Sequence, residues 1–290
     1  MINFRKWLKE KGYLTNTIRG YINNMNCFIN WCESNQIKPD VATLNQIYEY
    51  VEHIRNKGYG IICLKGRILA LKHYYKFIRR KTNPALLVKV EKAEKKLPSN
   101  LLDEETLTSL FISIIPQTLG QKKSKVMLGL VIFQAVKREE LELLELEHVD
   151  IENKRIYIPS SSRCNSRYVH LEMFQIKDIE RYIYQLRPQL LKEAKKNTSK
   201  LFFSSGQGKH LNNSLTFIMK GIKRINPYLK TLAQLRESRI TIWLKKYGVR
   251  QAQYLSGLRY PTSLSRYKKT DIDNLKNKLK LVHPMERLGI

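Results

Sequence analysis

Apolar residues recur every three or four positions through the first third of the chain, a period that predicts amphipathic helices over residues 2–11, 16–33, 44–57 and 61–79. Thr15 and Thr43 stand at the start of two of these runs and read as N-caps. Trp7, Tyr21, Phe28, Trp31, Tyr74, Tyr75 and Phe77 fall on the same helices, and their spacing fits a bundle core better than stacking on bases. Over residues 84–100 the pattern fails: Pro84 and Pro98 bracket the polar run KVEKAEKK, which has too little apolar surface for a core of its own. That stretch reads as a linker between a helical domain over 1–83 and a second domain over 101–290.

The second domain opens with Leu101-Leu102-Asp103-Glu104-Glu105, where Asp103 suits an N-cap and the glutamates suit the positive end of a helix dipole. A long helical pattern over 124–146 gives way to two short runs of strand formers, 155–159 and 167–171, joined by the turn-like Ser-Ser-Ser-Arg-Cys-Asn-Ser. Helical periodicity returns over 175–195, 211–225, 231–247, 250–256, 261–267 and 272–281. The expected fold class is therefore mainly α, in two domains, with one small β-hairpin in the second.

Charge narrows the function. Lys and Arg number 53 against 25 Asp and Glu, a net charge of +28, and a positive field of that size concentrates polyanions. Nucleic acid is the expected partner; the plainer readings are a solvated basic surface or a ribosomal type of RNA-binding protein. Residues 1–100 carry 19 basic and 7 acidic residues, 101–152 carry 5 and 10, and 153–290 carry 29 and 8. Two basic blocks around an acidic one suit a clamp that grips DNA from two sides. Cys27, Cys32, Cys63 and Cys164 lack C-x-x-C spacing, so they are expected to be reduced and mostly in the core, with no metal site. The longest apolar run, residues 126–136, is interrupted by Gln134 and falls short of the roughly 20 residues that cross a bilayer. With no apolar leader in MINFRKWLKEKGY, the expected location is the cytoplasm.

Three short segments carry a family likeness. Gln134–Asp150 reads QAVKREELELLELEHVD, Ala233-Gln234-Leu235-Arg236 lies in a later helical run, and Gly257-Leu258-Arg259-Tyr260-Pro261 leads through to Arg266-Tyr267. In this order, with a hairpin between the first two and a basic helical domain before them, they resemble the boxes of the tyrosine recombinases, or phage-type integrases. Mobile-element integrases are the nearest pattern, because of the Arg-Tyr pairs of the third box. Glu140, Leu141, Leu144, Val149 and Asp150 fall in register with the first box, but Lys137 stands at its arginine, with Arg138 one residue later and about 100° around a helix. Ala233 and Leu258 stand where the family has histidines, and Ser162, beside Arg163, stands where it has the hairpin lysine.

What the resemblance implies is an N-terminal SAM-like DNA-binding domain, a C-terminal catalytic domain, and an enzyme of DNA integration. Its nucleophile, Tyr267, attacks a phosphodiester and is left as a 3′-phosphotyrosine, with no metal or other cofactor. Arg236 and Lys137 would hold the phosphate, and Arg163 would stand in for the hairpin lysine beside the leaving oxygen; Arg138, Arg259 and His170 are further stand-ins. A guanidinium grips two phosphate oxygens at once, whereas Lys137 offers a point charge. The resemblance also implies double-stranded DNA as partner and a homotetramer on it, the C-terminal helix packing into a neighbouring protomer. A weakened member that binds recombination-site DNA beside an active partner is the alternative; a related topoisomerase and a helical nucleic-acid-binding protein without strand transfer are the others. Taken singly, Tyr267 is one of 16 tyrosines, and packing is its ordinary role.

Overall fold

In a computed structural model of the protein, which describes residues 1–91, 100–206, 211–265 and 267, the first apolar period resolves into α1 (Ile2–Glu10), α2 (Thr15–Ser34), α3 (Leu44–Asn56) and α4 (Ile61–Phe77). Phe4, Phe28, Trp31 and Tyr75 are buried among them, and Trp7, Tyr21, Tyr74 and Phe77 pack against that core, as the spacing of the aromatics predicts. Thr43 does cap α3: its Oγ1 accepts from the Gln46 N–H at 3.3 Å and the Gln46 Oε1 accepts from the Thr43 N–H at 2.8 Å. Thr15 does not cap α2. The Leu14 carbonyl already accepts from the Ile18 N–H at 2.9 Å, so Thr15 is the first helical residue.

The chain divides into two compact units, Met1–Lys95 and Lys96–Ile290. The first core reaches beyond residue 83. A 3-10 turn at Pro84–Leu86 places Ala85 and Val88 in the core, and Asn83 Nδ2 donates to the Lys72 carbonyl at 3.0 Å. The proline sets the turn's backbone, and the small apolar residues around it find cover against α3 and α4.

In the second unit α5 (Glu104–Ser113) starts as expected, with Asp103 accepting from the Thr106 N–H at 2.8 Å. The expected helix over 124–146 is two helices. α6 (Leu119–Phe133) begins earlier, at a capping box of Thr118 and Gln121; it ends where Ala135 takes φ 49°, and α7 (Arg138–Leu141) follows. The apolar pattern runs through the break because both segments face one core. The hairpin forms from β2 (Arg155–Ile158) and β3 (Arg167–His170), and β1 (Val149–Asp150), which the pattern did not predict, adds an antiparallel edge through Val149↔Ile156.

α8 (Met173–Arg181) and α9 (Arg187–Ala194) are joined by a π-helical turn, Tyr182–Leu186, and α10 (Asn212–Ile225) packs on α6. α11 (Leu232–Ser256) covers both of its expected segments, with Gly248 at φ 77° marking the join. A 3-10 turn, Pro261–Leu264, leads to Tyr267; the helix expected over 272–281 lies outside the described residues. No helix among the described residues is long and apolar enough to cross a membrane. The four cysteines are free, but only Cys32 and Cys164 are buried; Cys63 is half-buried and Cys27 lies on the outward side of α2.

Candidate active site

Arg236 lies on the inward side of α11, where its neighbours Leu235, Arg239 and Ile240 are buried too. Its Nε donates to the Ala135 carbonyl at 2.7 Å and its Nη2 to the Ser256 carbonyl at 2.8 Å. Ala135 follows the end of α6 and Ser256 ends α11, so the guanidinium occupies a place where two helix C-termini present carbonyls that lack helical partners. One turn later Arg239 repeats the device, its Nε donating to the Ile132 carbonyl at 2.9 Å and its Nη1 to Glu104 Oε1 at 2.8 Å. Ala135 falls where the first box has glycine, and its left-handed backbone explains why that type suits the position.

Tyr267, 1% exposed, belongs to the same core. Burial lowers the pKa of Arg236 from its ordinary value, while Cys164, Glu140 and Tyr267 work the other way and Arg167 adds to the lowering. The second and third boxes therefore bring Arg236 and Tyr267 into one electrostatic neighbourhood, although 30 residues separate them along the chain.

Lys137 is half-buried just ahead of α7, and its backbone N–H donates to Glu140 Oε2 at 2.8 Å. Glu140 in turn holds Arg167 through a two-pronged ion pair: Nη1 to Oε1 at 2.8 Å and Nη2 to Oε2 at 3.1 Å. Burial opposes the Glu140 charge, but Arg167, the Lys137 N–H and Arg236 outweigh it, so the carboxyl titrates below its ordinary value. Arg163 is exposed in the turn between Ser161 and Cys164, with Ser162 exposed beside it. That turn is fastened to the third box: Cys164 bridges to Leu258, the Asn165 N–H donates to the Gly257 carbonyl at 2.8 Å, and Arg259 Nη2 donates to the Ser161 carbonyl at 3.0 Å.

Of the stand-ins, Arg259 is thus tied to the turn, and Arg138 is exposed at the start of α7. His170 is not brought in: it pairs with Arg155 at the end of β3 remote from the turn, about 10 Å along the strand from Arg167. Arg266 and the remainder of the tail lie outside the described residues. Sequence reading gave Arg167 no role. Strand alternation puts it on the inward face with Val169, where a charged side chain requires a buried partner, and the glutamate of the first box supplies one.

Residues 2–82 match the family model described as phage integrase, N-terminal SAM-like domain. The tyrosine recombinase XerC of Bacillus licheniformis is 25% identical over 97% of this chain and 94% of its own, and that of Anoxybacillus flavithermus is 26% identical over 69% and 67%. Among solved structures, the XerH site-specific recombinase bound to a palindromic difH substrate has a TM-score of 0.70 at 15% identity, covering 93% of this chain and 80% of that one. The Tn1549 transposon integrase in complex with transposon right-end DNA has a TM-score of 0.68 at 17% identity, covering 96% and 97%. The chain is similar to tyrosine recombinases in sequence, and its N-terminal domain matches the phage integrase SAM-like family. It shares with them a two-domain, mainly helical fold and a small antiparallel sheet, and Lys137, Ser162, Ala233 and Leu258 mark its departures from the tyrosine recombinase boxes.

Proposed function

We propose that the protein is a site-specific DNA recombinase that cuts and rejoins duplex DNA through a 3′-phosphotyrosine on Tyr267, with the ends of a mobile element as substrate. The placing of Arg236 and Tyr267 in one buried electrostatic neighbourhood supports this reading, because phosphoryl transfer needs a fixed cation near where the nucleophile attacks. The Tyr267 oxygen bonds to phosphorus, the bond to the 5′ oxygen breaks, and the net proton passes from the phenol to that oxygen; no group is oxidised or reduced. Arg236 is set in place beforehand by two carbonyls, so little reorganisation accompanies the build-up of phosphate charge. Lys137 supplies a second cation as a point charge, and Arg163 a third beside the leaving oxygen. At 1% exposure the Tyr267 ring has to turn out of the core to reach a phosphate, so DNA binding is coupled to that turn. The net charge of +28 supports duplex DNA as the partner, and assembly as a tetramer on it follows the family.

The burial of Tyr267 and the four substituted box positions favour one other reading, a weakened recombinase that binds recombination sites and assists an active partner. Nicked duplex DNA from the gene's flanking repeats, which traps a cut strand, separates the two. The proposed enzyme gives a denaturant-resistant protein–DNA band in wild type that is lost in Tyr267→Phe. Tight site-specific binding with no band in either protein favours the accessory reading.

A further inference from the structure

The ion pair of Glu140 and Arg167 is shut off from solvent, both side chains being 0% exposed. Taking two charges out of water costs several kcal/mol per ion, and an apolar pair of the same size is often as stable. Such a pair is better explained by what it holds in place than by stability, and here it holds several separate segments. Glu140 Oε2 accepts the Lys137 N–H. Arg167 Nη1 donates at 3.4 Å to the Asn165 carbonyl, at the foot of the turn that carries Arg163. Gly257 presses its backbone onto the same guanidinium: a Cβ there would lie 2.3 Å from Arg167 Nη1 and 3.0 Å from the Asn165 oxygen. Asn165, Cys164 and Ser161 are bonded in turn to Gly257, Leu258 and Arg259. Pulling Arg167 away would therefore free the hairpin turn from the first box and remove the guanidinium on which Gly257 of the third box rests. Both ends of its guanidinium are committed to Glu140, so Arg167 is held inside the fold rather than offered to DNA.

We propose that Arg167 is a positioning residue: through Glu140 and Gly257 it fixes the hairpin turn so that Arg163 meets the leaving 5′ oxygen and assists its protonation. The proposal rests on the recombinase reading of the preceding section. In the step concerned, the bond from phosphorus to the 5′ oxygen breaks as that oxygen takes a proton, the Tyr267 phenol giving one up in net; Arg163 stays charged and hydrogen-bonds the oxygen as its negative charge builds, and a misplaced turn removes a contribution of about 10²–10⁴ in rate.

The test compares Arg167→Met, and Glu140→Gln/Arg167→Met, with wild type in the full chain. In the double variant neither charge of the pair is left unpaired and the Gln carbonyl can still accept the Lys137 N–H, so it remains the test if Arg167→Met alone does not fold. Each protein is given a nicked duplex with the ordinary scissile phosphate, and one in which sulfur replaces the bridging 5′ oxygen. A thiolate leaves without a proton, so the sulfur substrate needs no donor. The expected result is a loss of about 10² or more on the oxygen substrate, shrinking to within a few-fold of wild type on the sulfur substrate. Equal losses on both substrates would overturn the proposal, since a merely structural pair affects both alike. Cleavage of the oxygen substrate near the wild-type rate by either folded variant would overturn it too. If wild type cuts only the sulfur substrate, no donor is in place and the proposal fails while Tyr267 stands as nucleophile; if wild type cuts neither, the recombinase reading fails with it.

Discussion

Lys137 is the residue at which sequence and site chemistry differ most plainly from the family, and it gives a direct prediction. Its backbone is already held by Glu140, so the position is built and only the side chain's two-pronged grip is lacking. Lys137→Arg is expected to raise the rate of strand cleavage about ten-fold or more, and Lys137→Ala to lower it by about 10²–10³, both measured as single-turnover adduct formation. At Gly257 two constraints coincide, a φ of 67° and the guanidinium of Arg167 against the missing Cβ. Gly257→Ala should cost about 1–3 kcal/mol, read from the denaturant midpoint, and should slow cleavage beyond what the lost stability explains. The places of Arg236 and Tyr267 in the boxes were legible in the sequence; the hold on Arg236 was not, because its partners are backbone carbonyls that any residue types could present.

At the scale of elements, α2, α3 and α4 were legible to within two residues at each end, because their buried residues recur at three- and four-residue spacing; only α3 also carries the side-chain cap that the sequence offered. The break after α6 was not legible. Apolar periodicity records which side faces the core, and that side is the same before and after Ala135. β1 was missed for a related reason: two residues are too few to show alternation. On α4 the packing sets a pH response. His73 lies against Tyr13 and Tyr21, with Lys76 on its own helix, and first burial and then Lys76 lower its pKa from the ordinary 6.5. A depressed pKa means that the unfolded chain binds the proton first as pH falls. Stability from this site is present in full above pH 6.5 and is lost as pH drops through the folded-state value. Full-chain melts at pH 7.5 and 5.5 should show a larger drop for wild type than for His73→Gln; equal drops would remove His73 from the account.

The whole molecule is governed by its charge. The excess of 28 positive charges says more about partner than about fold, and the acidic stretch over 101–152 is largely consumed in internal contacts, among them Glu140 with Arg167, Glu104 with Arg239 and Glu145 with Lys200. If six or more phosphates are contacted, raising salt from about 50 to 200 mM should weaken DNA binding about 10³-fold or more. Fluorescence anisotropy across a salt series checks this, and a nearly flat response would contradict an interface built on backbone phosphates. The central claim is that one tyrosine of the sixteen becomes linked to DNA. Mass spectrometry of the trapped adduct, after the DNA is trimmed to a single nucleotide, tests it most directly. The account predicts a 3′-linked nucleotide on the peptide that contains Tyr267; a nucleotide on any other residue, or an unmodified Tyr267 peptide from protein that has cut its DNA, would contradict it.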